Sequence, residues 1–100
     1  MELLDSGLQY GDGEPVLVAV RKRERRVDID DRGRGVEKAG KPPGWLEVAR
    51  EVVERDSLNV NRAGVVFVGS FEDRDYAPLV GCVAGRSLAV YEELLDLLVE

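Results

Sequence analysis

An alternation of apolar and charged residues over residues 15–30, PVLVAVRKRERRVDID, constrains the fold of this chain more than any other feature. Apolar side chains at every second position lie on one face of a β-strand. With a turn at residues 23–24, we expect Val20 to pair with Val27 across a hairpin. A hairpin with one apolar face needs a second layer to cover it, so the pattern predicts a packed sheet.

The same register separates two kinds of surface on the hairpin. It pairs Val18 with Ile29, so that the β-branched residues share one face. The opposite face carries charges of both signs, on Arg21, Arg26, Asp28 and Asp30. We therefore expect one face of the hairpin in the core and the other to be charged.

Two helices are predicted from a periodicity of about 3.6 residues. The first runs through PGWLEVAREVVERD, after Pro42 and Pro43, which suit a helix entrance because their missing N–H groups cost little there. Its apolar stripe consists of Trp45, Val48, Ala49, Val52 and Val53. The second runs from Asp75, a residue type that often caps helices, to about Val99.

Between these helices, LNVNRAGVVFV predicts a second hairpin, because Asn61 and Gly64 occupy the first and fourth positions of a type I turn. The expected cross-strand pairs are Val60 with Val65 and Leu58 with Phe67.

The predicted element order is therefore β-β-α-β-β-α, preceded by a poorly defined lead-in over residues 1–14. The predicted fold class is α+β, with a single domain over residues 1–100. We expect a four-stranded, mainly antiparallel sheet with two helices packed on one face.

A calcium-loop pattern begins at Asp28 but fails at two ligand positions. Counted as an EF-hand loop, its fifth position is Arg32 and its twelfth is Ala39, where oxygen ligands belong. We therefore predict that the aspartates end a strand in a turn, and we expect no metal.

A phosphate-loop pattern, G-x-x-x-x-G-K, spans residues 35–41. Pro42 replaces the Ser or Thr that would contact magnesium, and Glu37 would repel a phosphate. We therefore predict a turn over residues 30–33, then a plain connection to the first helix, with no cofactor.

The residue types that are missing limit the chemistry. The chain has no histidine and one cysteine, Cys82, which excludes Ser-His-Asp and Cys-His catalysis and the usual zinc sites. We predict a non-enzymatic protein. A lone cysteine and a start, MELLDSG, without the features of a signal peptide predict a cytoplasmic location. Many charges and few amides are typical of thermophile proteins.

The pieces VDIDDRG, LNVNRAGVVFV and SLAVYEELL resemble a small domain family of bacteria and their phages. The resemblance covers residues 16–98, and Arg32 separates the aspartates from Gly33. The family has no assigned function, so the resemblance implies the element order and an Asp-Asp-Gly strand end, but no site.

The last helix carries two neighbouring apolar seams, more than one sheet face needs. The first seam consists of Val80, Val83, Val90, Leu94 and Leu97. The second seam predicts a homodimer interface formed by Ala84, Leu88, Tyr91, Leu95 and Leu98. The alternative is that the first predicted helix, PGWLEVAREVVERD, covers this seam within the same chain. We thus predict a homodimeric protein-interaction or accessory module.

The alternative function is nucleic-acid binding through RKRERR at residues 21–26. The candidate contacts are Arg21, Lys22, Arg23, Arg25 and Arg26, which could neutralise phosphates. A net charge of −6 disfavours a polyanionic partner, and it likewise disfavours an anionic membrane.

Overall fold

The computed structural model describes residues 1–99 and contains five strands and three helices. The strands are β1 (Glu2–Gln9), β2 (Pro15–Arg23), β3 (Arg26–Asp30), β4 (Asn59–Val60) and β5 (Val66–Phe71), and the helices are α1 (Arg34–Ala39), α2 (Trp45–Glu54) and α3 (Ala77–Val99).

The strands form one antiparallel sheet in the order β1-β2-β3-β5-β4. Helix α3 packs on the sheet, α2 contacts α3 and β4, and α1 contacts α3. The α+β class and the antiparallel sheet are confirmed, but the predicted four strands and two helices are one too few of each. Among residues 1–99, no helix is long and apolar enough to span a membrane.

Strand β1 lies within the segment that sequence reasoning left undefined. Its sequence, ELLDSGLQ, contains no β-branched or aromatic residue, so local preference does not favour a strand. It forms because β2 offers an unpaired edge, where Leu4 lies opposite Val18. The formation of β1 therefore depends on pairing with β2, and sequence periodicity carries no information about such pairing.

The β2–β3 hairpin has the predicted strands but a different register. The turn lies at Glu24 and Arg25, so Val20 pairs with Ile29 rather than with Val27. The slip of two residues keeps every side chain on its predicted face, because the side-chain period is two. It also places Arg21 opposite Asp28, an attractive pair, and Arg23 opposite Arg26, a repulsive one.

The β4–β5 hairpin has the predicted turn but not the predicted pairs. The N–H of Gly64 donates to the carbonyl of Asn61 at 2.9 Å, and Gly64 itself adopts φ 90. The loop also includes Val65, whose carbonyl accepts the Asn61 N–H at 3.1 Å, so it is one residue longer than predicted. Val60 therefore pairs with Val66, and Phe67 turns away from the core instead of facing Leu58.

Helix α1 occupies the segment that was predicted to be a plain connection. Gly35 lies so close to α3 that a Cβ atom there would be 2.6 Å from the carbonyl oxygen of Ser87. Gly40 ends the helix at φ 81, a left-handed cap that favours glycine. The two glycines of the phosphate-loop pattern therefore serve packing and capping.

Helices α2 and α3 follow the sequence patterns closely. Ala49, Val52 and Val53 are buried on α2, and the first seam of α3 is buried at Val83, Val90 and Leu94. The Asp75 carboxylate accepts the Ala77 N–H at 3.2 Å, which supports its predicted role at the helix start.

Candidate functional site

The sheet has one face packed against helices and one that carries no helix, which we call the open face. Buried side chains of β2 and β3, such as Val18, Val20 and Ile29, point towards the helices. Because side chains alternate, the residues between them point the other way. On β2, β3 and β5 these outward residues are Leu17, Ala19, Arg21, Arg23, Arg26, Asp28, Asp30, Phe67, Gly69 and Phe71.

The open face concentrates exposed apolar side chains. Six large hydrophobic residues among residues 1–98 are strongly exposed, and three of them lie on this face: Leu3 at 43%, Phe67 at 38% and Phe71 at 52%. Isolated exposed hydrophobics are common, but several on one surface mark a region of contact with other molecules.

The two phenylalanines flank a notch on β5. Gly69 lies between them on the same face and opposite Asp28, while Phe71 lies opposite Arg26. A Cβ atom on Gly69 would lie 3.5 Å from Nη2 of Arg26, so the guanidinium already reaches over the floor of the notch. The Arg74 guanidinium lies 5.8 Å from the Phe71 ring centroid, within cation–π range.

Charges of both signs lie side by side in the middle of the open face. Arg21 Nε donates to Asp30 Oδ2 at 3.0 Å. Arg23 Nε lies 3.9 Å from Asp28 Oδ2. Arg26 makes no ion pair with any residue of the described chain, residues 1–99. The face therefore has a neutralised centre and a cation beside Phe71.

The structure divides the predicted nucleic-acid contacts between different surfaces. Arg21, Arg23 and Arg26 share the open face. Lys22 points to the face of the sheet that carries the helices, where its Nζ lies 5.7 Å from the Tyr76 ring centroid. A hydrogen bond with Tyr76 raises the pKa of Lys22. Arg25 lies in the turn, and its carbonyl accepts the Glu72 N–H at 2.8 Å.

The predicted dimer residues on α3 are also divided. Ala84 and Tyr91 are buried within the protomer, and the Tyr91 ring meets Tyr10 edge-on with centroids 5.2 Å apart. Leu88 and Leu95 are half-buried, and Leu98 is 58% exposed. Residue Tyr10 and helix α1, which the sequence did not predict, thus cover much of the second seam.

A buried polar network lies on the other side of the sheet, around Asp31. Its Oδ1 accepts the N–H groups of Gly33 and Val66 at 2.8 and 2.9 Å, and its Oδ2 accepts the Ser87 hydroxyl at 2.5 Å. Ser87 Oγ also lies 2.8 Å from the Tyr10 hydroxyl, which must donate because Ser87 has spent its only proton.

Burial is the main influence on this network. Desolvation raises the pKa of Asp31 and also raises the pKa of the Tyr10 phenol, against the lowering effect of the Ser87 hydrogen bond. Perturbed groups of this kind are common in active sites. Here, however, Asp31 and Ser87 are fully buried and their oxygens bond to protein groups. The network joins β3, β5 and α3 rather than facing a ligand.

A second polar cluster attaches the β1–β2 loop to α1. Lys38 Nζ lies 2.6 Å from both Asp12 Oδ2 and Glu14 Oε2, and Arg34 Nη2 lies 2.9 Å from Glu14. These contacts raise the pKa of Lys38 and lower those of Asp12 and Glu14. Nothing in the sequence pattern indicated this cluster, because its members lie far apart in the chain.

Comparisons with family models, with curated proteins and with solved structures find no match for this chain. The resemblance to a small bacterial and phage domain therefore stays a prediction, and the open face is the feature on which a function can be argued.

Proposed function

We propose that this protein is a non-enzymatic interaction module that binds its partner through the open face of the sheet. The observation that carries the proposal is the exposure of Phe67 and Phe71 on one strand, beside Arg26, which forms no ion pair within residues 1–99. Exposed phenylalanine beside arginine is a combination of residue types that is enriched in protein interfaces.

Burial of the exposed phenylalanine rings would contribute modestly to binding. Complete burial of a phenylalanine contributes about 1.5–3 kcal/mol, so covering the exposed part of each ring would contribute about 1 kcal/mol. Together, Phe67, Phe71 and Leu3 give a partner an apolar contact that water now occupies. The lone cysteine, Cys82, is consistent with a reducing compartment, and the proposal places the module in the cytoplasm.

Single-stranded nucleic acid is a second candidate partner, because one observation favours it. Arg21, Arg23 and Arg26 share a sheet face with two exposed aromatic rings, an arrangement that can stack bases and contact phosphates. Asp28 and Asp30 on the same face oppose it, as does the net charge of −6. Binding to single-stranded DNA or RNA at low salt, weakening steeply as salt rises, would support this candidate.

Site-specific photo-crosslinking in the native host tests the proposal. A photoreactive phenylalanine analogue is placed at position 71 on the open face or, as a matched control, at position 51 on the exposed side of α2. We expect covalent adducts at position 71 and few at position 51. Nuclease-sensitive adducts would identify nucleic acid, and equal yields at both positions would contradict the proposal.

A further inference from the structure

We infer that the partner of the open face is a second copy of this chain, packed face to face with its sheet. This inference rests on the proposed function and names its partner. The two sheets would lie about 10 Å apart, with the helices outside, as in the aligned packing of sheet pairs. The interface would then be isologous, because each copy contributes the same surface.

Charge complementarity is the first support for a second copy. The centre of the open face carries the cations of Arg21, Arg23 and Arg26 beside the carboxylates of Asp28 and Asp30. Asp30 is buried and bonded to Arg21, whereas Asp28 is half-buried and Arg26 forms no ion pair within residues 1–99. Arg26 of one copy can therefore approach Asp28 of the other. A polyanion would be repelled by Asp28.

Shape is the second support. Phe67 and Phe71 are separated by four residues along β5, about 13 Å, with Gly69 between them. The Arg26 guanidinium lies over Gly69, so the two rings project on either side of a lower, charged surface. Each ring can therefore fit beside the corresponding ring of the other copy, while Arg26 stays between them.

The size of the face sets the expected affinity. Five strands spaced about 4.8 Å apart and about six residues long give each copy a face of roughly 400 Å², so the two faces together fall in the range of weak, reversible complexes. We therefore expect a reversible dimer with a concentration-dependent population rather than an obligate one. The second seam of α3, which the sequence predicts as the dimer interface, offers less exposed surface than expected, because Ala84 and Tyr91 are already buried within the protomer.

The first experiment measures mass by sedimentation from about 1 µM to about 1 mM. We expect wild type to rise from the monomer mass of 11.1 kDa towards twice that value. Phe71→Ser should weaken association at least tenfold. Glu51→Lys, an exposed change on α2, should leave it unchanged. Thermal melts followed by circular dichroism confirm that each variant is folded.

The second experiment tests the charge argument with two complementary variants. Arg23→Glu with Arg26→Glu makes the open face acidic, and Asp28→Lys makes it basic. Each variant alone should associate more weakly than wild type, whereas a mixture of the two should form a heterodimer at least as tightly as wild type associates.

Three results would overturn the inference. The first is a wild-type mass that stays at 11.1 kDa over the whole concentration range. The second is a dimer that Leu95→Glu on α3 dissociates and Phe71→Ser does not. The third is a mixture of the charge variants that associates no better than each alone. A monomer that still forms position-71 adducts with another molecule would leave the interaction-module proposal standing and remove only the self-association.

Discussion

At the scale of single residues, Gly35 controls how closely α1 approaches α3. A Cβ atom at this position would lie 2.6 Å from the Ser87 carbonyl oxygen and 2.8 Å from Ser87 Oγ. We expect Gly35→Ala to lower the free energy of unfolding by about 2 kcal/mol, because the backbone of α3 must move to relieve the overlap. Chemical denaturation measures the change.

Gly85 provides the matched control for this substitution. It also lies in a helix, but a Cβ atom there would meet nothing within 4 Å. Gly85→Ala should therefore raise the free energy of unfolding by up to about 1 kcal/mol, through helix propensity alone. Equal effects at the two positions would mean that α1 does not pack on Ser87 as described.

A second residue-scale prediction concerns Asp31 and pH. Because burial raises its pKa above the usual 3.8, the folded protein holds the carboxyl proton more tightly than the unfolded chain does. The resulting stabilisation is complete below about pH 4 and is lost as the pH rises through the raised folded pKa. Asp31→Asn keeps an acceptor for Gly33 and Val66 but cannot ionise.

We therefore expect the free energy of unfolding of wild type to fall with rising pH relative to that of Asp31→Asn. The measurement is a series of denaturation curves from about pH 4 upwards, compared between the two proteins. Parallel pH profiles would show that Asp31 is not the titrating group.

At the scale of elements, we expect the cluster around Lys38 to help hold β1 at the sheet edge. Its ammonium group bridges Asp12 and Glu14 in the β1–β2 loop and lies 5.3 Å from the Tyr10 ring centroid. Lys38→Met keeps much of the apolar stem but loses both ion pairs. We expect faster amide hydrogen exchange in β1, with little change in α2.

Lys22→Met is the control, because Lys22 also lies over an aromatic ring, that of Tyr76, but does not contact the β1–β2 loop through an ion pair. It should leave the exchange of β1 unchanged. If both substitutions speed exchange equally, the loop cluster does not hold the strand.

At the scale of the whole molecule, the single core and the proposed dimer together predict the thermal behaviour. A 100-residue domain with one core should unfold in one cooperative transition. If dimerisation is coupled to folding, Tm rises with protein concentration. We expect this rise for wild type and a much smaller one for Phe71→Ser. A wild-type Tm that does not change with concentration would contradict the coupling.

The sequence by itself determined the α+β class, the positions of α2 and α3 and the two faces of β2 and β3. These features depend on periodicity, which each segment carries within itself: alternate valines in PVLVAV, or the spacing of Ala49, Val52 and Val53. A register error of two residues in the β2–β3 hairpin left these faces intact. The charged face was therefore predictable even though its cross-strand pairs were not.

Only the tertiary structure decided β1, α1, the outward position of Phe67 and the covering of Tyr91. Each depends on a partner distant in sequence: β1 on the edge of β2, α1 on Ser87, and Tyr91 on Tyr10. The position of Phe67 depends on one added loop residue, Val65, which reverses every side chain of β5 relative to the prediction. On the open face Phe71 lies opposite Arg26, which is 45 residues earlier in the chain. No local sequence pattern could therefore predict this pair.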